Sequence, residues 1–260
     1  MLYPRLIPVL LIHNRGLVKT VKFKDPKYVG DPLNAVRIFN EKEVDELIVI
    51  DIDATVQGQE PDYKTIENLA AECRMPFCYG GGIKTVAQAK HILSLGVEKV
   101  SLSSAAIQTP NLISELAEQV GNQSVVVTLD VKKKLFSSKY EVFTHNGKNN
   151  TKQCPIELSK QLQALGAGEI VLNAIDHDGV MKGYDLELIR KIKNTISVPM
   201  TVVGGAGTLE HIADLYQQEN LIGAAAGSLF VFKGKYKAVL INYPNTTEKH
   251  ALYQSALKHS

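Results

Sequence analysis

The 260-residue chain has no tryptophan, only three cysteines, 7% aromatic residues and a net charge of just +2. Each scarcity excludes something. Cys73, Cys78 and Cys154 are odd in number and lack both C-x-x-C spacing and a nearby histidine pair, so neither a disulfide framework nor a metal site is expected. A reducing cytoplasm fits. A charge so close to neutral gives no basic footprint for nucleic acid, although local basic groups can still hold a phosphorylated metabolite. The apolar run Leu6 to Ile12, behind Arg5, is short for a secretory segment and has no small-residue cleavage site after it. It reads as a buried strand, and neither a membrane partner nor a cofactor is expected.

What remains is the balance of a soluble globular protein, 45% hydrophobic and 22% charged. The length suits a (β/α)₈ barrel. Short β-branched runs alternate with helical patterns, the runs being Leu6–Ile12, Glu46–Ile52, Met75–Tyr79, Lys99–Leu102, Ser124–Val131, Glu169–Ala174, Val198–Val203 and Leu221–Ala226. Between them lie helical spacings such as Val86, Ala89, Ile92 and Leu93, or Leu158, Leu162 and Leu165. Runs apolar along most of their length suit parallel strands covered on both faces. That pattern alone does not separate a barrel from a doubly wound sheet. Internal similarity does: Tyr79-Gly-Gly-Gly-Ile-Lys-Thr85 recurs in altered form as Val203-Gly-Gly-Ala-Gly-Thr-Leu209, and Ile48–Asp51 parallels Ile170–Asn173. The chain reads as an α/β TIM barrel of two similar half-barrels, one domain over residues 1–260 without a linker.

Two segments break the alternation. Tyr140–Thr144 followed by His145-Asn-Gly-Lys148 signals a hairpin after the fifth strand, and Phe23-Lys-Asp-Pro26 lies in a long lysine-rich first loop. Loops at the carboxyl ends of barrel strands carry substrate contacts. The turns Gly80-Gly81-Gly82 and Gly204-Gly205 let backbone N–H groups approach an anion, and the helices that follow are expected to add their positive ends. Ser103-Ser104 and Gly227-Ser228, after the neighbouring strands, complete two candidate phosphate cradles. The bland alternative is that such glycines merely make tight turns. The tail from Asn245 reads as a closing helix with Ala251, Leu252, Ala256 and Leu257 inward, and His91, His145, His211, His250 and His259 read as surface or packing residues.

Arg5-Leu-Ile-Pro8, Gly30-Asp-Pro32, Asp45-Glu-Leu47, Gly80-Gly-Gly-Ile83, Asp176-His-Asp-Gly179, Gly183-Tyr-Asp185 and Gly204-Gly-Ala-Gly207 together resemble the cyclase (HisF) subunit of imidazole glycerol phosphate synthase, a ribulose-phosphate-binding barrel, over nearly the whole chain. The resemblance implies a heterodimer with a glutaminase subunit and a bis-phosphorylated substrate that reacts with ammonia. It implies substrate contacts at Lys19, Gly81, Gly82, Ser103, Ser104, Asp178, Gly179, Gly204, Gly205, Gly227 and Ser228; for Lys19 a solvated loop charge is the alternative. Of the family's two acid–base aspartates, Asp130 matches one. Leu11 stands where the other belongs, and Ser103 replaces an asparagine. His13, Asp51, Asp53 and Asp176, all near strand ends, are conceivable substitutes. At the opposite end Arg5, Glu46, Lys99 and Glu169 match the family's ammonia gate and are expected to form a closed ion-pair ring.

A kept gate beside a lost acid resembles the branch of the family linked to surface-polysaccharide synthesis, where ammonia passes to a sugar amidotransferase. Amidination of a nucleotide-linked sugar is the first reading. The histidine-pathway cyclase is the alternative, and a non-catalytic scaffold that activates a glutaminase is the third.

Overall fold

The structure, a computed structural model, describes residues 4–257, with side chains as far as residue 254. Eight parallel strands form the barrel: β1 Arg5–His13, β2 Leu47–Asp51, β3 Phe77–Gly80, β4 Lys99–Leu102, β5 Val125–Lys133, β6 Glu169–Ala174, β7 Met200–Val203 and β8 Gly223–Ala226. Each pairs with the next, and β8 returns to β1 with Arg5 opposite Gly223, so the sheet closes. The expected runs match these strands to within about two residues at each end, as frayed boundaries generally do. At the eighth, Leu221 is exposed and the strand begins at Gly223.

Eight longer helices surround the barrel: α1 Pro32–Glu41, α2 Tyr63–Glu72, α3 Val86–Ser94, α4 Asn111–Val120, α5 Pro155–Ala164, α6 Leu186–Lys193, α7 Leu209–Gln218 and α8 Thr246–Leu257. Their starts are chemically marked. Asp31, Asp62 and Asp185 accept the N3 amides of α1, α2 and α6, and Thr85 with Gln88 makes a capping box on α3. The apolar stripe of each helix faces the sheet, as Leu112, Ile113 and Leu116 do on α4. In α8, Leu252 is buried as expected, but Ala251 is exposed and Tyr253 takes the inward place instead, because the buried stripe runs one residue further along; the side chains of Ala256 and Leu257, and residues 258–260 with His259, lie outside the described residues. Among the described residues no helix is long and apolar enough to cross a membrane.

The expected first loop is instead a β-hairpin, Gly16–Val21 against Lys24–Gly30, with the first arm paired to β1. β-Branched Val18, Thr20 and Val21 favour it, but its turn places Lys22 and Phe23 at positive φ without glycine, which hides the usual turn signal. After β5 the chain doubles back through Tyr140–Thr144, and a second turn at residues 145–148 leads to Asn149–Asn150.

Glycine is needed at the two rich turns for packing alone. Gly81 and Gly205 have φ of +123° and +120°, and a Cβ on either would strike the backbone carbonyl of Asp51 or Gly183. The long helices that follow begin beyond the turns, at Val86 and Leu209, and the Gln88 amide in the first turn of α3 is taken by the Thr85 hydroxyl. Gly205→Ala is expected to cost at least about 2 kcal/mol through strain and backbone collision, read as a lowered urea midpoint at unchanged slope.

Candidate functional site

Alternation along a strand sends every second side chain inward, so β1 contributes Arg5, Ile7, Val9, Leu11 and His13 in one file from amino to carboxyl end. At the amino end four charges form a closed ring. Arg5 bonds Glu46 and, at 2.7 Å, Glu169, while Lys99 reaches Glu46 at 2.8 Å and Glu169 at 2.9 Å. The glutamates are 3% and 5% exposed, and the two cations compensate their loss of solvent. Burial alone would raise the Glu169 carboxyl, but Arg5, Lys99 and the Thr201 hydroxyl outweigh it and hold it at about 2. Thr201 is a fifth member, donating to Glu169 at 2.6 Å and accepting from Arg5 at 3.2 Å. A threonine inside a strand gave the sequence reading no signal of this.

Above the ring lies a packed apolar layer of Ile7, Cys78, Val126 and Ala225, followed by Val9, Ile48 and Val171. The second of these layers is the floor of a cavity that opens at the carboxyl end. A hydroxyl pair, Ser101 and Thr128 at 2.7 Å, faces this floor.

Hairpins rising from β1 and β5, opposite strands of the barrel, roof the cavity. Asp178 fixes the first, its carboxylate accepting from Thr20 Oγ1 at 2.7 Å and Phe23 N at 3.1 Å. Asn146 on the second donates to the Ile52 carbonyl at 2.7 Å. His145 lines the cavity beside Asn146, contrary to its bland reading, because the turn at residues 145–148 folds inward. The other described histidines keep that reading: His91 packs on Tyr63, His211 accepts the Gly207 amide, and His250 is exposed.

The cavity brings together Lys19, Gly81, Gly82, Ser103, Ser104, Asp130, Asp178, Gly179, Gly204, Gly205, Gly227 and Ser228, with Leu11 in its wall. Lys19 is buried, not a solvated loop charge: its arm pairs with β1, and its ammonium bonds the Val9 carbonyl and lies against Gly227, where a Cβ would collide with it. Burial lowers its pKa to about 8, against the opposing pull of Asp178. Asp130 accepts from Asn173 Nδ2 at 2.9 Å; burial raises its carboxyl to about 7, so it can gain or lose a proton near neutrality. Asn173 had been noted only as the half-barrel counterpart of Asp51. Its Oδ1 and the Ser103 hydroxyl are buried without a hydrogen-bond partner in a cavity with room for one.

Of the conceivable substitutes for Leu11, Asp51 lines the cavity; its Oδ1 accepts the Asp53 and Ala54 amides, and burial pushes its carboxyl up. Asp53 holds His13 at 2.7 Å, and Asp176 accepts the Lys133 amide, all three outside the cavity lining.

The model of a family described as histidine biosynthesis protein matches residues 5–237. The chain belongs to that family. A Vibrio vulnificus protein provisionally named imidazole glycerol phosphate synthase subunit hisF3 is 67% identical over 96% of each chain. Provisionally named HisF subunits from Leptospira borgpetersenii and Pseudomonas aeruginosa (hisF2) are 59% and 52% identical, covering 97% and 94% of this chain and 100% and 97% of their own. The protein is thus a HisF-like, cyclase-type subunit of the imidazole glycerol phosphate synthase family, built on the barrel that family uses.

Two measurements follow from this HisF-like geometry. Lys99→Met leaves two buried glutamates sharing one cation and is expected to cost about 2–4 kcal/mol, the partial exposure of Arg5 moderating the loss; a double-mutant cycle with Glu169→Gln should show strong coupling in urea unfolding. At Asp130 the native state binds more protons than the unfolded chain between about pH 4 and 7, so stability falls as pH rises through that window. The thermal midpoint of Asp130→Asn should therefore match the parent at pH 4 and exceed it by a few degrees at pH 7.5.

Proposed function

We propose that the chain takes ammonia from a glutaminase subunit bound at the ringed end, as a heterodimer, and delivers it to the mouth for a biosynthetic reaction, the amidination of a nucleotide-linked sugar in surface-polysaccharide synthesis. The observation that carries this reading is Leu11 in the cavity wall opposite a closed charge ring. Leucine exchanges no proton, and positioned acid–base groups contribute about 10²–10⁴-fold. Three of the four conceivable substitutes lie outside the cavity, His13 paired with Asp53 and Asp176 accepting the Lys133 amide, and the fourth, Asp51, uses one carboxylate oxygen to cap a turn. Of the acid–base pair only Asp130 is present.

The apolar layers suit ammonia rather than ammonium, whose charge would be costly between Ile7 and Val171. Because those layers are packed, passage calls on side-chain motion rather than a standing pore. At the mouth, the unpartnered Ser103 hydroxyl and the Lys19 ammonium offer donors to a phosphate-bearing ligand, and the Asn173 Oδ1 can accept from a hydroxyl or N–H of the same ligand. The histidine-pathway cyclase stays as a second reading, favoured by Asp130 and its proton affinity near neutrality. Purified chain, ammonium and the bis-phosphorylated histidine-pathway substrate separate the two. Imidazole glycerol phosphate formation is expected at least about 10²-fold below that of a cyclase with both aspartates; turnover at the level of such a cyclase would sink the first reading.

A further inference from the structure

Beside the mouth, two hairpins stand together on the neighbouring strands β8 and β1. One is Gly16–Val21 with Lys24–Gly30; the other is Phe232–Lys233 with Ala238–Val239. They touch: Lys27 Nζ donates to the Lys237 carbonyl at 3.4 Å and sits 5.0 Å from the centre of the Phe232 ring. Lys22, Lys24, Lys27, Lys233, Lys235 and Lys237 are all exposed on this pair, against the single acid Asp25. This sector concentrates more positive charge than the whole chain carries in sum, +2. No ion pair among the described residues engages any of the six.

The same sector exposes apolar surface. Tyr28 is 65% and Tyr236 88% exposed, with Val239 and Leu240 beside them half in solvent. Tyr28 is held in place as well, its ring edge lying over Gly16, where a Cβ would come within 2.7 Å. Lysine and proline on an edge strand by themselves guard against strand pairing. That purpose does not call for exposed tyrosines, which make a surface stickier and are enriched at the centres of interfaces.

The position relative to the cavity identifies the occupant. The first hairpin supplies Lys19, Thr20 and Phe23 to the cavity lining, so whatever covers its outer face sits against the mouth. We infer that the paired hairpins dock the enzyme that consumes what leaves the mouth, and that this enzyme offers an acidic face with apolar recesses for Tyr28 and Tyr236. The inference rests on the proposed delivery of ammonia and adds which surface the consumer occupies. A nucleic acid or an anionic membrane is the competing occupant of a basic aromatic patch, and a bound protein is favoured because the patch adjoins the mouth.

The test reconstitutes the chain with its glutaminase and with the sugar amidotransferase, supplying ¹⁵N-amide glutamine against excess unlabelled ammonium. The readout is the fraction of ¹⁵N in the amidinated sugar. The parent is expected to transfer label well above the bulk ratio, and less as salt is raised. Lys24→Glu/Lys235→Glu/Lys237→Glu should reduce the channelled fraction about tenfold or more, with glutamine hydrolysis and ammonium-driven product unchanged. The corresponding Lys→Arg triple variant should behave as the parent, and circular dichroism should show all variants folded. Equal channelling by the charge-reversed variant and the parent would overturn the docking surface while leaving the delivery reading intact. Absence of channelling by the parent would overturn both. Channelling untouched by charge reversal, together with loss of binding to phosphatidylglycerol vesicles or to duplex DNA, would reassign the patch to a membrane or a nucleic acid.

Discussion

The ring at the amino end is the constraint on which the barrel's chemistry depends. Two glutamates almost without solvent are each bonded by both Arg5 and Lys99, and these cations hold the Glu169 carboxyl ionised. A pair would leave lone pairs unmet, whereas four alternating charges and Thr201 satisfy one another around a closed path. Since β1, β4, β6 and β7 and the residue before β2 supply the members, the ring also ties together non-adjacent parts of the wall. The chain's last helix is fastened beside it. Asp45, next to Glu46, accepts from the Leu6 amide, Tyr253 and Lys249, so the residues flanking Arg5 and Glu46 are held from outside while the ring holds them from within.

The mouth obeys the reverse rule. At the ring, partners overcome burial, so the Glu169 carboxyl is pushed down and the Lys99 ammonium up. In the cavity, burial wins: Asp130 is pushed up to about 7 and Lys19 down to about 8, both toward their neutral forms. The two ends of one bore therefore divide the work, one keeping fixed charges fixed and the other holding groups whose protons move near neutral pH. Perturbation of that second kind accumulates where ligands are handled, and the unpartnered Ser103 and Asn173 atoms at the same place agree with it.

Much of this was legible in the chain because barrels write their pattern in short-range terms. Apolar runs marked the strands, and the repeated glycine turns marked the half-barrel symmetry. The ring was readable from four charges placed at strand starts. What escaped depended on long-range folding. The first hairpin was hidden because Lys22 and Phe23 make its turn without glycine. His145 looked like any loop histidine until the turn bearing it folded over the mouth, whereas Lys19, expected as a substrate contact with a solvated loop charge as the alternative, lies in the cavity lining. The glycine turns carried an ambiguity that sequence cannot resolve, since tight approach to Asp51 and Gly183 demands glycine there with or without a phosphate.

Leu11 links these observations. It stands among Val9, Ile50 and Val203 at the top of the apolar layers, beside the arm that carries Lys19. A carboxylate at that place would be a base and a counter-ion at the outlet of the bore, able to protonate into chemistry or to hold an ammonium ion. A leucine is neither. It extends the apolar lining by one further layer, which favours neutral ammonia over its charged form at the point where it would meet a ligand. On the proposed reading, an apolar residue here supplies no proton and adds no charge to the wall, and both properties suit delivery of ammonia better than its use in ring closure.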